Sequence, residues 1–472
     1  MSERAEKHPR VLIKNIARVD LLALNRLNPA RYPFYLASTA TAQSQNGRYD
    51  ILFACPQAHI ELGQDFKLRA QGVEHTGNNF LEAFSHWWRA EQQTDAQAAE
   101  SRLPFRGGWF LYLGYELVNE IEPRLQLKPD QDSSLPVASA VRVPAAVIAD
   151  HVAHETFLVL ESDYSDLLGL IERDIALISE TSTCLPETIS MAEEDPQHYL
   201  DAVARVHDYI REGDVFQVNL SRLWHGTRPQ GLTAAMAFDR LARSNPAPFA
   251  GMACFDGDSA VISSSPERLV RTISDRVETR PIAGTRPRGR DQLDDQGKQD
   301  ELLAHPKERA EHIMLIDLER NDLGRICTPG TVEVNEMMVL ESYAHVHHIV
   351  SNIRGQLRSG ITPSEIIRAV FPGGTITGCP KVRCMEIVAE LETGARGAYT
   401  GSMGYVNRDG DMDLNILIRT IILDQASISI RAGAGLVADS IAENELHETR
   451  AKACGMLNAL TADTNTRAVC DA

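Results

Sequence analysis

Several things are scarce or missing in this 472-residue chain. No two of its eight cysteines form a C-x-x-C pair, which removes the usual zinc and thioredoxin-type motifs and leaves scattered thiols of the kind expected in a reducing compartment. No apolar run reaches membrane-spanning length, and Met-Ser-Glu-Arg-Ala-Glu-Lys-His carries no apolar signal core, so a cytoplasmic protein without a membrane partner is expected. There is no fixed-period repeat and no low-complexity block. Positive charge is also short: 47 Lys and Arg against 65 Asp and Glu give a net charge of −18. A nucleic-acid surface is therefore excluded as the chain's main business. An anionic small molecule can bind such a protein only where basic side chains or a metal reverse the local sign.

What is present is a soluble globular composition, 43% hydrophobic and 24% charged, in a chain too long for one ordinary core. Short β-like runs alternate with helical stretches from residue 10 to about 180, including Tyr49–Ala54, Gly108–Tyr115, Ala145–Ala149 and a helix from Asn79 to Ala90. Residues 181–196 read as a linker, and 197–462 as a second, catalytic unit followed by a polar tail. Asp409-Gly410 marks a hairpin turn into a strand through Thr420, on which Arg419 shares a face with Asp413 and Asn415. The fold class expected is α+β, with large antiparallel sheets in a sandwich and helices packed outside.

The most informative residues are four glutamates in two pairs, Glu308/Glu311 and Glu445/Glu448. Each pair is spaced i, i+3, so both carboxylates leave one helix face. The first helix opens at Pro306 and carries Ala310, Ile313, Met314 and Asp317 on one stripe; the second buries Leu446, Ala453, Met456, Leu457 and Leu460. A lone E-x-x-E is more often a solvated face. Two facing each other would form an oxygen-rich site for Mg²⁺. Three further segments suit a carboxylated ligand: the glycine-rich run Phe371–Lys381, with free N–H groups at a helix start; Arg419, whose planar fork matches a carboxylate; and the close-approach glycines Gly433 and Gly435. Lys452, Thr285 and Glu267 add an ammonium, a hydroxyl and a carboxyl.

In order, FQVNLSR, SSPERLV, PIAGTRPRG, KERAEHIMLIDLERNDLGR, HVHHIVS, GGTITGCPKVRCMEI, YTGSMGY, NILIRT, AGAGLVADS and ELHETRAKA fill residues 215–455. This series resembles the chorismate-utilising enzymes: component I of anthranilate synthase and of aminodeoxychorismate synthase, and their isochorismate and salicylate synthase relatives. The resemblance implies an anthranilate synthase component I-like catalytic unit with Mg²⁺ and chorismate in a cleft between β-sheets. It implies Glu311 and Glu448 as metal ligands, with Glu308 and Glu445 supporting them. Glu267 becomes the acid for the departing C4 hydroxyl, and His348 lies beside the reacting ring carbon, with His347 in a packing role. Tyr399, Arg419, Gly433 and Gly435 match the site for the enolpyruvyl carboxylate, and Thr285, Thr377 and Lys452 match further ligand contacts.

Gln217 separates branches of that group. Water-using relatives carry a lysine base there, and a glutamine cannot take a proton, so ammonia is the expected nucleophile. The chain has no G-x-C-x-G glutaminase turn, which implies a separate glutamine amidotransferase partner. Asn219, Thr377, Asn415 and Asp50 resemble the aminodeoxychorismate branch; Ala283, where many of that branch have lysine, and Gly433-Ala434-Gly435 resemble the anthranilate branch. The expected product is 4-amino-4-deoxychorismate, with anthranilate plus pyruvate as the alternative. A non-catalytic regulatory paralogue is the third reading. Ser38 falls in the segment that binds tryptophan in feedback-sensitive relatives, where Ala37 replaces their glutamate.

Overall fold

The computed structural model describes residues 11–40, 47–93, 103–178, 188–256, 258–342 and 346–461. The polar tail from 462 on and residues 181–187 of the expected linker lie outside them. The remainder of that linker is tied to the body: the Ile189 N–H donates to the Leu460 carbonyl at 2.9 Å, and Ala192–Glu193 adds an edge strand.

Two large antiparallel sheets, of twelve and eleven strands among the described residues, carry the fold. Their strand order shows that the two halves of the chain interleave. In the first sheet Phe34–Ala37 pairs with Phe249–Phe255, Tyr35 opposite Met252. In the second, Gly108–Leu113 pairs with Ser402–Asn407, Leu111 opposite Gly404. The sheets pack face to face through aromatic side chains that alternation directs inward. Phe34 of one stacks on Phe110 of the other with ring centroids 4.1 Å apart, within a core that includes Phe53, Phe105 and Tyr405.

Helices cover the outer faces, and local chemistry sets their ends. Helix Phe80–Glu91 starts where the Asn79 side chain accepts the Glu82 N–H. Helix Pro196–Glu212 starts at Asp195 and stops at Gly213, whose φ of 83° only glycine adopts freely. Helix Pro363–Val370 opens with a capping box between Thr362 and Glu365.

Three sequence expectations are corrected here. The strand expected to run through Thr420 ends at Asn415; residues 416–419 leave the second sheet, and Thr420–Asp424 joins the first. Arg419 turns that corner with φ 53°, a left-handed conformation that breaks alternation, so no strand face defines its direction. In helix Pro306–Gly324 the inward stripe is His312, Leu315, Ile316, Glu319 and Leu323, while Ile313 is 46% exposed. The buried polar residues His312 and Glu319 disguised that stripe. Among the described residues five cysteines are free thiols, but Cys454 is disulfide-bonded, a departure from uniformly reduced thiols.

Candidate active site

The site is built on two neighbouring strands of the first sheet, Gln217–Thr227 and Ser427–Leu436, paired with Asn219 opposite Gly435 and Ser221 opposite Gly433. Gly433 and Gly435 are two apart and share a face. A Cβ on Gly433 would stand 2.7 Å from the Tyr399 hydroxyl and 2.9 Å from Asn219 Oδ1; one on Gly435 would stand 2.5 Å from Gln217 Nε2 and 3.6 Å from Glu311 Oε1. Only glycine leaves that floor open to a ligand. Gln217 Oε1 and Asn219 Oδ1 are buried there without a hydrogen-bond partner. Buried acceptors left open in this way cost stability unless a ligand completes them.

Helices wall the floor. From Pro306–Gly324, Glu311 accepts a hydrogen bond from Gln217 Nε2 at 2.5 Å. From Ala442–Ala459, Lys452 donates to the Gly433 carbonyl at 2.9 Å and pairs with Glu448 at 2.6 Å. Glu311 and the Lys452–Glu448 pair thus flank the same three-residue stretch. Arg419 Nη1 donates to the Lys452 carbonyl at 3.1 Å; burial lowers its pKa, and Tyr399 and Glu448 oppose that shift. Burial pushes the Tyr399 hydroxyl up to about 12. Behind it, Arg396 donates to the Asn219 carbonyl at 2.8 Å and to Glu392 at 2.7 Å, with its guanidinium 5.5 Å from the Tyr399 ring.

The other glutamates are placed less centrally. Glu308 accepts from Arg286 at 3.2 Å and stands close behind Gly284. Glu445 is half-buried; burial first, and then the charges of Glu445 and Glu448, raise the pKa of the Tyr199 phenol. Among the described residues no three His, Cys, Asp or Glu side chains are gathered around one point that could hold a metal ion. The four carboxylates stand as two helix-borne pairs, three of them held by Arg286, Gln217 and Lys452.

Glu267 is 5% exposed. Burial raises its pKa to about 8; Glu319 adds to the rise, while the Thr375 hydroxyl, the Ile282 N–H and the Lys452 ammonium oppose it. Such a carboxyl holds its proton at neutral pH, as a general acid must. His348 is lowered to about 4, by burial first and by Arg419 second, so it is a neutral imidazole. Strand register sets the Thr285 backbone opposite it. His347 is packed, held between the Ser342 hydroxyl at 2.7 Å and Asp295 at 2.8 Å. The Thr377 hydroxyl turns inward onto the Gly373 and Gly374 carbonyls, while its own carbonyl accepts the Asn219 N–H at 3.0 Å.

Ser38 belongs elsewhere. Its N–H donates to Asp50 at 2.9 Å, and with Tyr35, Asp50 and His151 it lines a separate cavity of about 660 Å³. Sequence reasoning did not reach Tyr199, Thr375, Glu319 or Arg396 as neighbours of the site. Their roles come from long-range packing that no local spacing announces.

The comparisons with known proteins agree with this geometry. The profile described as "chorismate binding enzyme" matches residues 32–458. An anthranilate synthase component I-like protein of Synechocystis sp. is 43% identical over 361 residues, covering 76% of this chain and 73% of its own. Aminodeoxychorismate synthase component 1 of Bacillus subtilis is 37% identical over 432 residues, covering 88% and 90%. The crystal structure of anthranilate synthase component I from Streptococcus pneumoniae superposes with a TM-score of 0.77 at 29% identity, covering 88% of this chain and 94% of that one.

Proposed function

The chain belongs to the chorismate binding enzymes, and from that premise we propose that it aminates chorismate with ammonia to give 4-amino-4-deoxychorismate, the precursor of p-aminobenzoate in folate synthesis. The carrying observation is the neutral amide of Gln217, hydrogen-bonded to Glu311 at 2.5 Å with its Oε1 left open. An amide there cannot deprotonate water, but its oxygen can accept an N–H of incoming ammonia. Asn219, Thr377, Asn415 and Asp50 lend support through their resemblance to the aminodeoxychorismate branch. Ammonia would come from a separate glutamine amidotransferase subunit.

In this reading Arg419 and Tyr399 bind the enolpyruvyl carboxylate over the open floor at Gly433 and Gly435, with Lys452, Thr285 and Thr377 around it. Glu267, protonated at neutral pH, donates to the C4 hydroxyl as it leaves, and neutral His348 lies beside the reacting carbon. The donor set fits Mg²⁺: the carboxylates offer only oxygen, and Glu311 and Glu448 flank one strand stretch. Glu311 and Glu448 would hold the ion, with Glu308 and Glu445 in support. When bound, it would neutralise the ring carboxylate.

A second reading, formation of anthranilate with loss of pyruvate, is favoured by Ala283, buried in strand Ile282–Pro287 where a covalent route would want a lysine. Incubating the purified chain with chorismate, Mg²⁺ and ammonium separates the two. Chorismate consumed without fluorescent anthranilate supports the first reading; anthranilate establishes the second.

A further inference from the structure

Behind Glu267 lies a second buried carboxyl that the proposed chemistry does not use. Glu319, on the inward stripe of helix Pro306–Gly324, is 5% exposed, and its Oε1 accepts the Gly374 N–H at 3.2 Å. The approach is close: a Cβ on Gly374 would meet that oxygen at 3.0 Å and Leu318 at 2.6 Å. One turn on, Asp322 pairs with Lys381 at 2.5 Å, so the helix grips both ends of loop 374–381. Between the grips sits Thr375, whose hydroxyl lies against the Glu267 carboxyl and opposes the rise in its pKa that burial causes. On the far side, Ile416 backs Gly373 and donates its N–H to the Glu267 carbonyl at 3.0 Å. An apolar side chain at 319 would pack at lower cost than a carboxyl in this environment.

We propose that Glu319 is a positioning residue for the acid: through the Gly374 N–H it fixes the loop that sets the Thr375 hydroxyl against the Glu267 carboxyl. The proposal rests on the reading of Glu267 as proton donor. Thr375 and Glu267 then form one polar pair, oriented together before substrate arrives, and a shift of the loop misplaces both.

The test is steady-state chorismate consumption by the full chain with Mg²⁺ and ammonium. Glu319→Ala should lower kcat about ten- to a hundred-fold, the scale of a misplaced catalytic group, with KM changed less than about three-fold. Glu319→Gln keeps an acceptor for the Gly374 N–H and should recover most of that loss. Thr375→Val should cost a similar factor, and the double variant Glu319→Ala/Thr375→Val should be no slower than either single one. Wild-type kcat in Glu319→Ala, a glutamine variant no better than alanine, or additive losses in the double variant would each overturn the proposal. Should Glu319→Ala fail to fold, wild-type kcat in Thr375→Val overturns it alone. An active Glu267→Gln removes the acid reading and this proposal with it. An inactive Glu267→Gln beside a fully active Glu319→Ala removes the proposal only.

Discussion

Gln217 donates from its side-chain amide to the Glu311 carboxylate at 2.5 Å, joining a strand of the first sheet to the helix that walls it. The contact fixes the amide, with its Nε2 against the glycine floor at Gly435 and its Oε1 buried without a partner. Gln217→Lys would replace it with an ion pair and set an ammonium where the nucleophile is expected. Ammonia-dependent product should fall at least about ten-fold, since the lost contact is a hydrogen bond to a charged group. Product analysis by chromatography, with ammonium as nitrogen source, reads this directly; unchanged amination would remove Gln217 from the nucleophile site.

Glu267 predicts two pH effects, on rate and on stability, and both fall as pH rises. Its pKa rises from 4.5 to about 8 through burial. As an acid it works only when protonated, so kcat should decline as pH climbs through about 8. For stability, the folded chain holds this proton more tightly than the unfolded one. Its contribution is complete below pH 4.5 and is lost as pH rises, fully so beyond about 8. Glu267→Gln should flatten the Tm-against-pH curve in that window and lower kcat by about a hundred-fold or more. A Tm curve unaltered by the substitution would show that the carboxyl is not protonated in the native state.

Much of this was legible in the chain. Alternation and turn chemistry located Tyr49–Ala54 and the Asp409-Gly410 hairpin, and Asn79 announced its helix, because each is set by local stereochemistry. Local rules failed at Arg419, where the chain changes sheets, and on helix Pro306–Gly324, where a histidine and a glutamate occupy the inward stripe. The pairing of Phe34–Ala37 with Phe249–Phe255 has no local signature either, since the register is fixed by partners two hundred residues apart.

Ala283 leads to a negative result that can be measured. It is 6% exposed and pairs with Ile349, so its strand offers no amine to the ring. Mixing with chorismate and Mg²⁺, quenching and digesting the protein should give no lysine-bearing adduct by mass spectrometry. An adduct on any lysine would replace direct ammonia addition with a covalent route. Ala283→Lys would bury an ammonium in that strand and should destabilise the fold by several kcal/mol.

Glu448 separates metal chemistry from folding most cleanly. Its side chain is 49% exposed and its partner Lys452 lies one turn along the same helix. An i, i+4 pair at that exposure contributes about 0.3–0.5 kcal/mol, so Glu448→Ala should leave Tm within roughly 2 °C of the parent chain. Loss of one of the two proposed oxygen ligands, by contrast, should raise the Mg²⁺ concentration needed for half-maximal turnover by about a hundred-fold or abolish turnover. Lys452, freed of its carboxylate, keeps its bond to the Gly433 carbonyl, so the floor should survive the change. Titrating activity against Mg²⁺ alongside a melting curve distinguishes the two effects. A variant with the parent's Mg²⁺ dependence would place the ion away from helix Ala442–Ala459, and the roles of Glu311 and Glu308 would have to be argued without it.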